Sequence, residues 1–89
     1  MTVCKHVYYS GRVQGVGFRY TAQGLAAGHK VAGFVRNLGN GDVELVAEGP
    51  ADQVGALLAT LAQKMAPYIE RVDVRDEPPS GQNGFQIRY

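Results

Sequence analysis

The sequence predicts an α+β fold in which two helices cover one face of a mainly antiparallel sheet. Three observations lead to this fold class. The chain has 89 residues, which suits a single domain over residues 1–89. Two segments carry apolar residues at three- and four-residue spacing, and several short segments rich in β-branched and aromatic residues lie between turn signals. Their order is β-α-β-β-α-β, followed by a short extra strand.

The first half of the chain predicts a strand, a helix and a hairpin. Val3 to Tyr9 is rich in β-branched and aromatic residues, as strands are. A glycine-rich loop follows, and Gly28 is well placed to end the helix after it. Asn40-Gly41 is a hairpin turn signal between two further strands. The helix shows apolar spacing at Phe18, Ala22, Leu25 and Ala26, and the two strands are Val31 to Asn37 and Asp42 to Glu48.

The second half predicts a second helix and two strands. Gly49-Pro50 ends the preceding strand and opens the helix, which Pro67 terminates. The helix carries the strongest amphipathic pattern in the chain. Strands follow in "IERVDVRD", where Val72 and Val74 alternate with charged residues, and in "FQIRY". Two such helices bury their apolar stripes against one face of one sheet, which is the ferredoxin-like α/β sandwich. The apolar stripe of the second helix is Val54, Leu57, Leu61 and Met65 together with Leu58.

Composition excludes several classes of protein. The net charge is +1 and the cationic residues are scattered, which argues against a general nucleic-acid binder. A single cysteine, Cys4, excludes an internal disulfide and a multi-cysteine metal site, and it favours a reducing compartment. No apolar run approaches the roughly 20 residues of a membrane span, and the N-terminus lacks the apolar core of a signal peptide. We therefore expect a cytoplasmic protein without a membrane or nucleic-acid partner.

The segment "GRVQGVGFRY" is the strongest candidate for a functional site. It contains Gly11, Gly15 and Gly17, and it leads into the first helix, where Arg19 follows at once. Glycines allow successive backbone N–H groups to converge, and the helix N-terminus adds further donors and a positive dipole. This combination favours a phosphate site. The alternative is that the glycines only form a tight turn and that Arg19 is a solvated surface charge.

The loop differs from the better-known phosphate-binding motifs. No Gly-Lys-Ser/Thr follows it, as a nucleotide P-loop requires, and the third glycine of a dinucleotide fingerprint is missing. A tyrosine-phosphatase cradle has a cysteine six residues ahead of its arginine, where this chain has Val13. The loop therefore holds no nucleophile, and water would have to attack any bound phosphoryl group.

These residues resemble the acylphosphatase family. "GRVQGVGFR" resembles its signature loop, "GFVRNLGNGDVELVAEG" its second signature and "FQIRY" its closing strand. The resemblance implies a ferredoxin-like fold and hydrolysis of small acyl phosphates to a carboxylate and inorganic phosphate. It implies no cofactor, no metal ion and no covalent phosphoenzyme, and we expect a monomer.

The resemblance also implies roles for individual residues. Arg19 matches the phosphate-binding arginine, and Asn37 matches the asparagine that holds the attacking water. The terminal carboxylate of Tyr89 is implied as an ion-pair partner of Arg19. Two departures, Phe34 in place of a common tryptophan and the turn Gly39 to Gly41 without its usual aspartate, are expected to lie beside the site. The implied amide cradle is Gln14, Gly15, Val16, Gly17 and Phe18, followed by Arg19 itself.

Other functions remain open from the sequence. The same loop would suit a binding module that senses phosphate without turning it over, although a water-positioning Asn37 would be superfluous there. An RNA-binding domain of this fold would need a basic sheet with exposed aromatics, which "FVRN" and "VELVAE" do not supply. A module of a larger carbamoyl-transfer enzyme is not expected at this length. His6 and His29 lack partners at metal-ligand spacing, so both are predicted to be structural, and Cys4 to be buried.

Overall fold

The computed structural model describes all 89 residues and confirms the predicted fold class. Five strands form one sheet in the order β4-β1-β3-β2-β5. Only the pairing of β2 with β5 is parallel, so the sheet is mainly antiparallel. The elements are β1 (Thr2–Gly11), α1 (Phe18–Ala27), β2 (Ala32–Asn37), β3 (Val43–Pro50), α2 (Ala51–Lys64), a 3₁₀ turn (Ala66–Tyr68), β4 (Ile69–Glu77) and β5 (Phe85–Arg88).

Each helix connects two strands that are separated by a third. The α1 connection skips β3 and the α2 connection skips β1, which is the split arrangement that the element order predicted. Antiparallel pairing places Tyr9 opposite Val43 and Asn37 opposite the same residue. The end of β1, the end of β2 and the start of β3 therefore lie at one end of the sheet. The glycine-rich loop and the β2–β3 hairpin are brought together there.

One apolar core joins the two helices to the sheet. It contains fifteen buried residues. The apolar stripe of α2 enters this core and packs on β1 and β3, as predicted, with Leu58 half-buried at its margin. Each fully buried side chain of this size contributes roughly 1.5–3 kcal/mol to the free energy of unfolding. Neither helix has the length and apolar character that a membrane span needs.

The structure confirms the β4 strand and shows that the helices leave it uncovered. Val72 and Val74 pair with Tyr9 and Val7, so they lie on the helix-covered face of the sheet. They are nevertheless 44% and 51% exposed, because α2 packs on β1 and β3 and leaves the edge strand uncovered. Alternation identified the strand correctly but does not reveal how far a helix extends over its neighbours.

The start of α2 and the length of the β2–β3 loop differ from the sequence prediction. Pro50 is the last residue of β3 and precedes α2, with a ψ of 138°, so it stands just outside the helix rather than in its first turn. The Asn40-Gly41 signal does mark a hairpin. Gly41 has a positive φ of 97°, and the Leu38 N–H donates to the Asp42 carbonyl, which is a three-residue loop rather than the tighter two-residue turn.

The face of the sheet opposite the helices carries a polar network. His6 bonds to Glu44 through Nε2 at 2.7 Å and to Glu77 through Nδ1 at 3.0 Å, and Arg36 also pairs with Glu44. Burial alone would lower the pKa of His6, but the hydrogen bonds to Glu77 and Glu44 outweigh it and raise the pKa. His6 therefore has a structural role, as predicted. The Cys4 thiol is buried on the same face, and its pKa is raised by burial and by nearby Glu48.

Glu48 holds the segment between β4 and β5. Its carboxylate accepts backbone N–H bonds from Ser80 at 2.6 Å, Gly81 at 2.9 Å and Gln82 at 3.0 Å. The bond from Ser80 and those from its two neighbours lower the pKa of Glu48 despite the opposing effect of burial. An ionised Glu48 thus fixes the segment that delivers β5 to the sheet.

We expect this interaction to make stability pH-dependent. In the folded protein the pKa of Glu48 lies below its ordinary value of about 4.3. The stabilisation by ionised Glu48 is therefore complete above about pH 4.3 and is lost as the pH falls through the lowered pKa of the folded protein. Urea unfolding should show a difference between wild type and Glu48→Gln that is largest above about pH 5 and shrinks below about pH 4. Glu70→Gln is the matched control, because Glu70 is exposed on β4. An equal difference at every pH would contradict this role of Glu48.

Candidate active site

The glycine-rich loop and the β2–β3 hairpin enclose one small cavity. Its volume is about 190 Å³. The lining contains a single charged side chain, Arg19, and no Asp, Glu, His, Cys, Ser or Thr. The seven lining residues are Val13, Gly15, Gly17, Phe18, Arg19, Tyr20 and Asn37.

Two buried side chains hold the loop in place. Val13 is fully buried and Phe18 is 2% exposed, and both belong to the apolar core. The Phe18 ring packs on that of Tyr9, with ring centroids 4.8 Å apart. Just before the loop, the Arg12 N–H donates to the Tyr68 carbonyl at 2.9 Å. Only four residues separate the two buried side chains, so the chain between them must turn tightly.

The loop turns by alternating the sign of φ. Gly15 has a φ of 77° and Gly17 of 79°, whereas Val16 between them has a negative φ. Such alternation directs successive N–H groups toward one point and forms an anion-binding nest. The N–H groups of Gly15, Val16 and Gly17 donate to no other backbone carbonyl. The first turn of α1 has no side-chain cap, so it adds unpaired donors and the positive end of the helix dipole.

Arg19 brings a full positive charge to this cradle. The side chain is half-buried, and none of the ion pairs in the protein involves it. Its guanidinium lies over the Tyr89 ring, 4.8 Å from the centroid. The expected ion pair with the Tyr89 carboxylate is therefore absent, and the contact is made by the ring. This cation–π contact orients the guanidinium without neutralising it.

Asn37 occupies the opposite wall of the cavity. It is the last residue of β2 and is half-buried. The side-chain hydrogen bonds in this hairpin are made by Gln14, Asn40 and Asp42, so the Asn37 carboxamide is free to bind another molecule. A carboxamide both donates and accepts hydrogen bonds, which suits it to hold a water molecule.

The Gln14 side chain connects the two halves of the site. Its Nε2 donates to the Leu38 carbonyl at 2.8 Å and to the Asp42 carbonyl at 2.9 Å. These carbonyls flank the turn that follows Asn37. Gln14 therefore ties the loop to the hairpin and fixes the distance between the cradle and Asn37.

Comparison with known proteins agrees with this geometry. A family model described as Acylphosphatase matches residues 5–87. The chain is 44% identical over 84 residues to an acylphosphatase of Synechococcus sp., covering 93% of this chain and 89% of the relative. The crystal structure of acylphosphatase from Bacillus subtilis superposes over the whole of both chains with a TM-score of 0.89 and 32% identity.

The chain belongs to the acylphosphatase family.

Family membership makes the protein an acylphosphatase, a hydrolase that acts on acid anhydrides. The same fold also occurs inside larger proteins. HypF of T. kodakarensis matches with a TM-score of 0.84 and 31% identity, covering 98% of this chain but 12% of that one. The acylphosphatase fold thus exists both as a separate chain and as one part of a longer chain.

The structure of this chain brings most of the predicted site residues together. Gly15, Gly17, Phe18, Arg19 and Asn37 all line the cavity. Gln14 and Val16 do not line it, and the Gln14 side chain bonds to the hairpin instead. Their predicted part in an amide cradle concerns their backbone N–H groups and stays a prediction.

Several other predictions for the site region have clear outcomes. Arg12 is exposed, as expected of a solvent-facing charge. Phe34 does not lie beside the cavity: it is on the open face of the sheet under Arg88, whose guanidinium is 4.0 Å from the ring centroid. His29 bonds to Gln53 at 3.1 Å. Tyr20 was missed as a lining residue, because an exposed tyrosine in a helix carries no sequence signal of its own.

We expect position 17 to require glycine because of its backbone conformation and not because of limited space. A Cβ at Gly17 would meet nothing within 4 Å, yet its φ of 79° strains any other residue. Gly17→Ala should therefore lower the free energy of unfolding by about 1–2 kcal/mol and weaken phosphate binding. Gly55→Ala is the matched control, since Gly55 lies in α2 with equally open space and no positive φ, and alanine should stabilise that helix by up to about 1 kcal/mol. Urea unfolding and calorimetric phosphate titration measure both effects, and a Gly17→Ala protein equal to wild type in both would disprove the requirement.

Proposed function

We propose that the cavity binds the phosphoryl group of a small acyl phosphate and that water attacks phosphorus in line, without a metal ion or a covalent phosphoenzyme. One observation carries this proposal. Gly15, Gly17, Arg19 and Asn37 line one cavity of about 190 Å³, and the loop N–H groups, the Arg19 guanidinium and the Asn37 carboxamide have no hydrogen-bond or ion-pair partner elsewhere in the protein. The products are a carboxylate and inorganic phosphate.

The cradle supplies the positive potential that phosphoryl transfer requires. Negative charge spreads over the three equatorial oxygens in the transition state, so fixed donors around those oxygens lower the barrier. The loop N–H groups from Gln14 to Phe18 would provide fixed dipoles. Arg19 provides a two-pronged, charged hydrogen bond. Together they do what a divalent cation does in other phosphoryl-transfer enzymes.

The absence of a carboxylic acid, histidine or cysteine from the lining fits an activated substrate. An acyl phosphate leaves as a carboxylate of low pKa, so no residue has to protonate the departing oxygen. Asn37 is neutral and acts by orientation, holding the water opposite the leaving group. A phosphate monoester leaves as a poor alkoxide and would need the acid that this cavity lacks.

The remaining features of the chain support a cytoplasmic monomer that acts on small molecules. The fifteen-residue core is complete within one chain. Two arginines on the open sheet face are paired with carboxylates, Arg36 with Glu44 and Arg75 with Asp73, which reduces the positive charge that a nucleic-acid surface would need. The free buried Cys4 is compatible with a reducing compartment. No membrane partner is proposed.

Substitution of Arg19 and substitution of Asn37 should impair hydrolysis in different ways. Arg19→Ala should lower kcat/KM for acetyl phosphate by about 10²–10³ or more and weaken phosphate binding, because a focused charge is lost. Asn37→Ala should collapse turnover while inorganic phosphate still binds with near-normal affinity. Steady-state hydrolysis and calorimetric phosphate titration separate these effects.

Matched controls exist for both substitutions. Arg12→Ala removes an exposed arginine next to the loop, and Asn83→Ala an exposed asparagine between β4 and β5; both should retain activity. Near-normal turnover by Asn37→Ala would rule out water positioning by this residue. Tight binding of acetyl phosphate by the wild type without any turnover would indicate a phosphate sensor instead.

A metal-depletion assay tests the absence of a metal requirement. Acetyl phosphate hydrolysis should be unchanged by EDTA and by purification in metal-free buffer, because Arg19 and the loop dipoles carry the positive charge of the site. A stable phosphate monoester, tested in parallel, should not be hydrolysed. Loss of activity in EDTA that added Mg²⁺ restores would overturn the metal-free mechanism.

A further inference from the structure

Tyr20 lies between the proposed phosphate cavity and the rest of the surface. It follows Arg19 in α1 and is 67% exposed. Its side chain lines the cavity of about 190 Å³ and also two neighbouring grooves of about 450 and 640 Å³. No other residue lines all three. A substrate whose phosphoryl group fills the cavity can therefore reach either groove by extending past Tyr20.

The larger groove is suited to an apolar group. It runs between α1 and β5, with Gly24 on the same helix face as Tyr20 and Phe85 at the start of β5. Ala26, Ala27 and Val31 complete its apolar surface, and Gln23 is the longest polar side chain in it. None of its lining residues is charged. Gly24 carries no side chain, which leaves the surface next to the Tyr20 ring open.

From this continuity we infer that Tyr20 and the adjoining groove bind the acyl half of the substrate and select acyl phosphates with an aromatic or branched apolar acyl group. The inference rests on the proposed function, since it assumes that the phosphoryl group occupies the cavity. An aromatic acyl group would stack on the exposed Tyr20 ring and bury apolar surface at the adjoining groove. An acetyl group has no ring to stack and offers little apolar surface.

The smaller groove would bind a different kind of acyl group. It is lined by Tyr20, Leu25 and Met65, and it carries the cation Lys64, which forms no ion pair. An acyl chain that ends in a carboxylate would be attracted to Lys64. The uncharged groove is larger and is lined by Phe85, which packs against the core, so we assign the acyl group to it and treat Lys64 as the competing site.

The test compares benzoyl phosphate with acetyl phosphate in wild type, Tyr20→Ala and Tyr20→Phe. We expect Tyr20→Ala to lower the ratio of kcat/KM for benzoyl phosphate to that for acetyl phosphate by about tenfold. The change should fall on KM for benzoyl phosphate, because the acyl contact is present in both the ground state and the transition state. Tyr20→Phe keeps the ring and should keep the wild-type ratio. Tyr68→Ala, at a half-exposed tyrosine in the 3₁₀ turn, is the matched control and should also keep it.

Two results would overturn the inference. The first is an unchanged benzoyl-to-acetyl ratio in Tyr20→Ala. The second is evidence that the smaller groove binds the acyl group: Lys64→Gln raises KM for succinyl phosphate, and Tyr20→Ala leaves KM for benzoyl phosphate unchanged. Failure of the proposed function gives a separate result, because the wild type would then hydrolyse neither substrate. Thermal unfolding of each variant verifies folding, which we expect every Tyr20 variant to retain because Tyr20 is exposed.

Discussion

The site depends on the short span of chain between two buried side chains, Val13 and Phe18. Both are fixed in the core, and the intervening residues must leave the sheet, reverse and enter a helix. Alternating φ at Gly15 and Gly17 achieves this, and the same alternation turns the N–H groups away from backbone partners. The loop N–H groups lack backbone partners because the burial of Val13 and Phe18 requires a tight turn between them. The anion site that we propose would thus be a direct consequence of how β1 is joined to α1.

A second constraint places the hairpin opposite that loop. The register of β3 against β1 and β2 brings Asn37 to the same end of the sheet, but it does not fix a distance to the loop. Gln14 does so through its two bonds to the Leu38 and Asp42 carbonyls. A single side-chain amide therefore couples the group that would hold phosphate to the group that would hold water. Their relative position matters, because in-line attack tolerates little misplacement.

The sequence predicts the fold well because periodicity, glycine and hairpin signals agree with one another. It predicts Arg19 and Asn37 through the family resemblance, and both line the cavity. It fails where the outcome depends on distant partners. The bonds of Gln14 go to carbonyls 24 and 28 residues away, which no local pattern encodes. The exposure of Val72 and Val74 depends on where α2 lies over the sheet, and the contact of Arg19 with the Tyr89 ring depends on how β5 ends.

The distribution of charge explains how a nearly neutral chain can hold an anion. The buried carboxylates, Glu44 and Glu48, lie on the open face of the sheet, where Arg36, His6 and backbone N–H groups compensate them. Neither lines the cavity, whose lining contains Arg19 and no Asp or Glu. Segregation of this kind gives a local positive potential that the net charge of +1 does not reveal. The carboxylates are compensated where they lie, so the groups that stabilise the fold have little effect on the field at the proposed phosphate cradle.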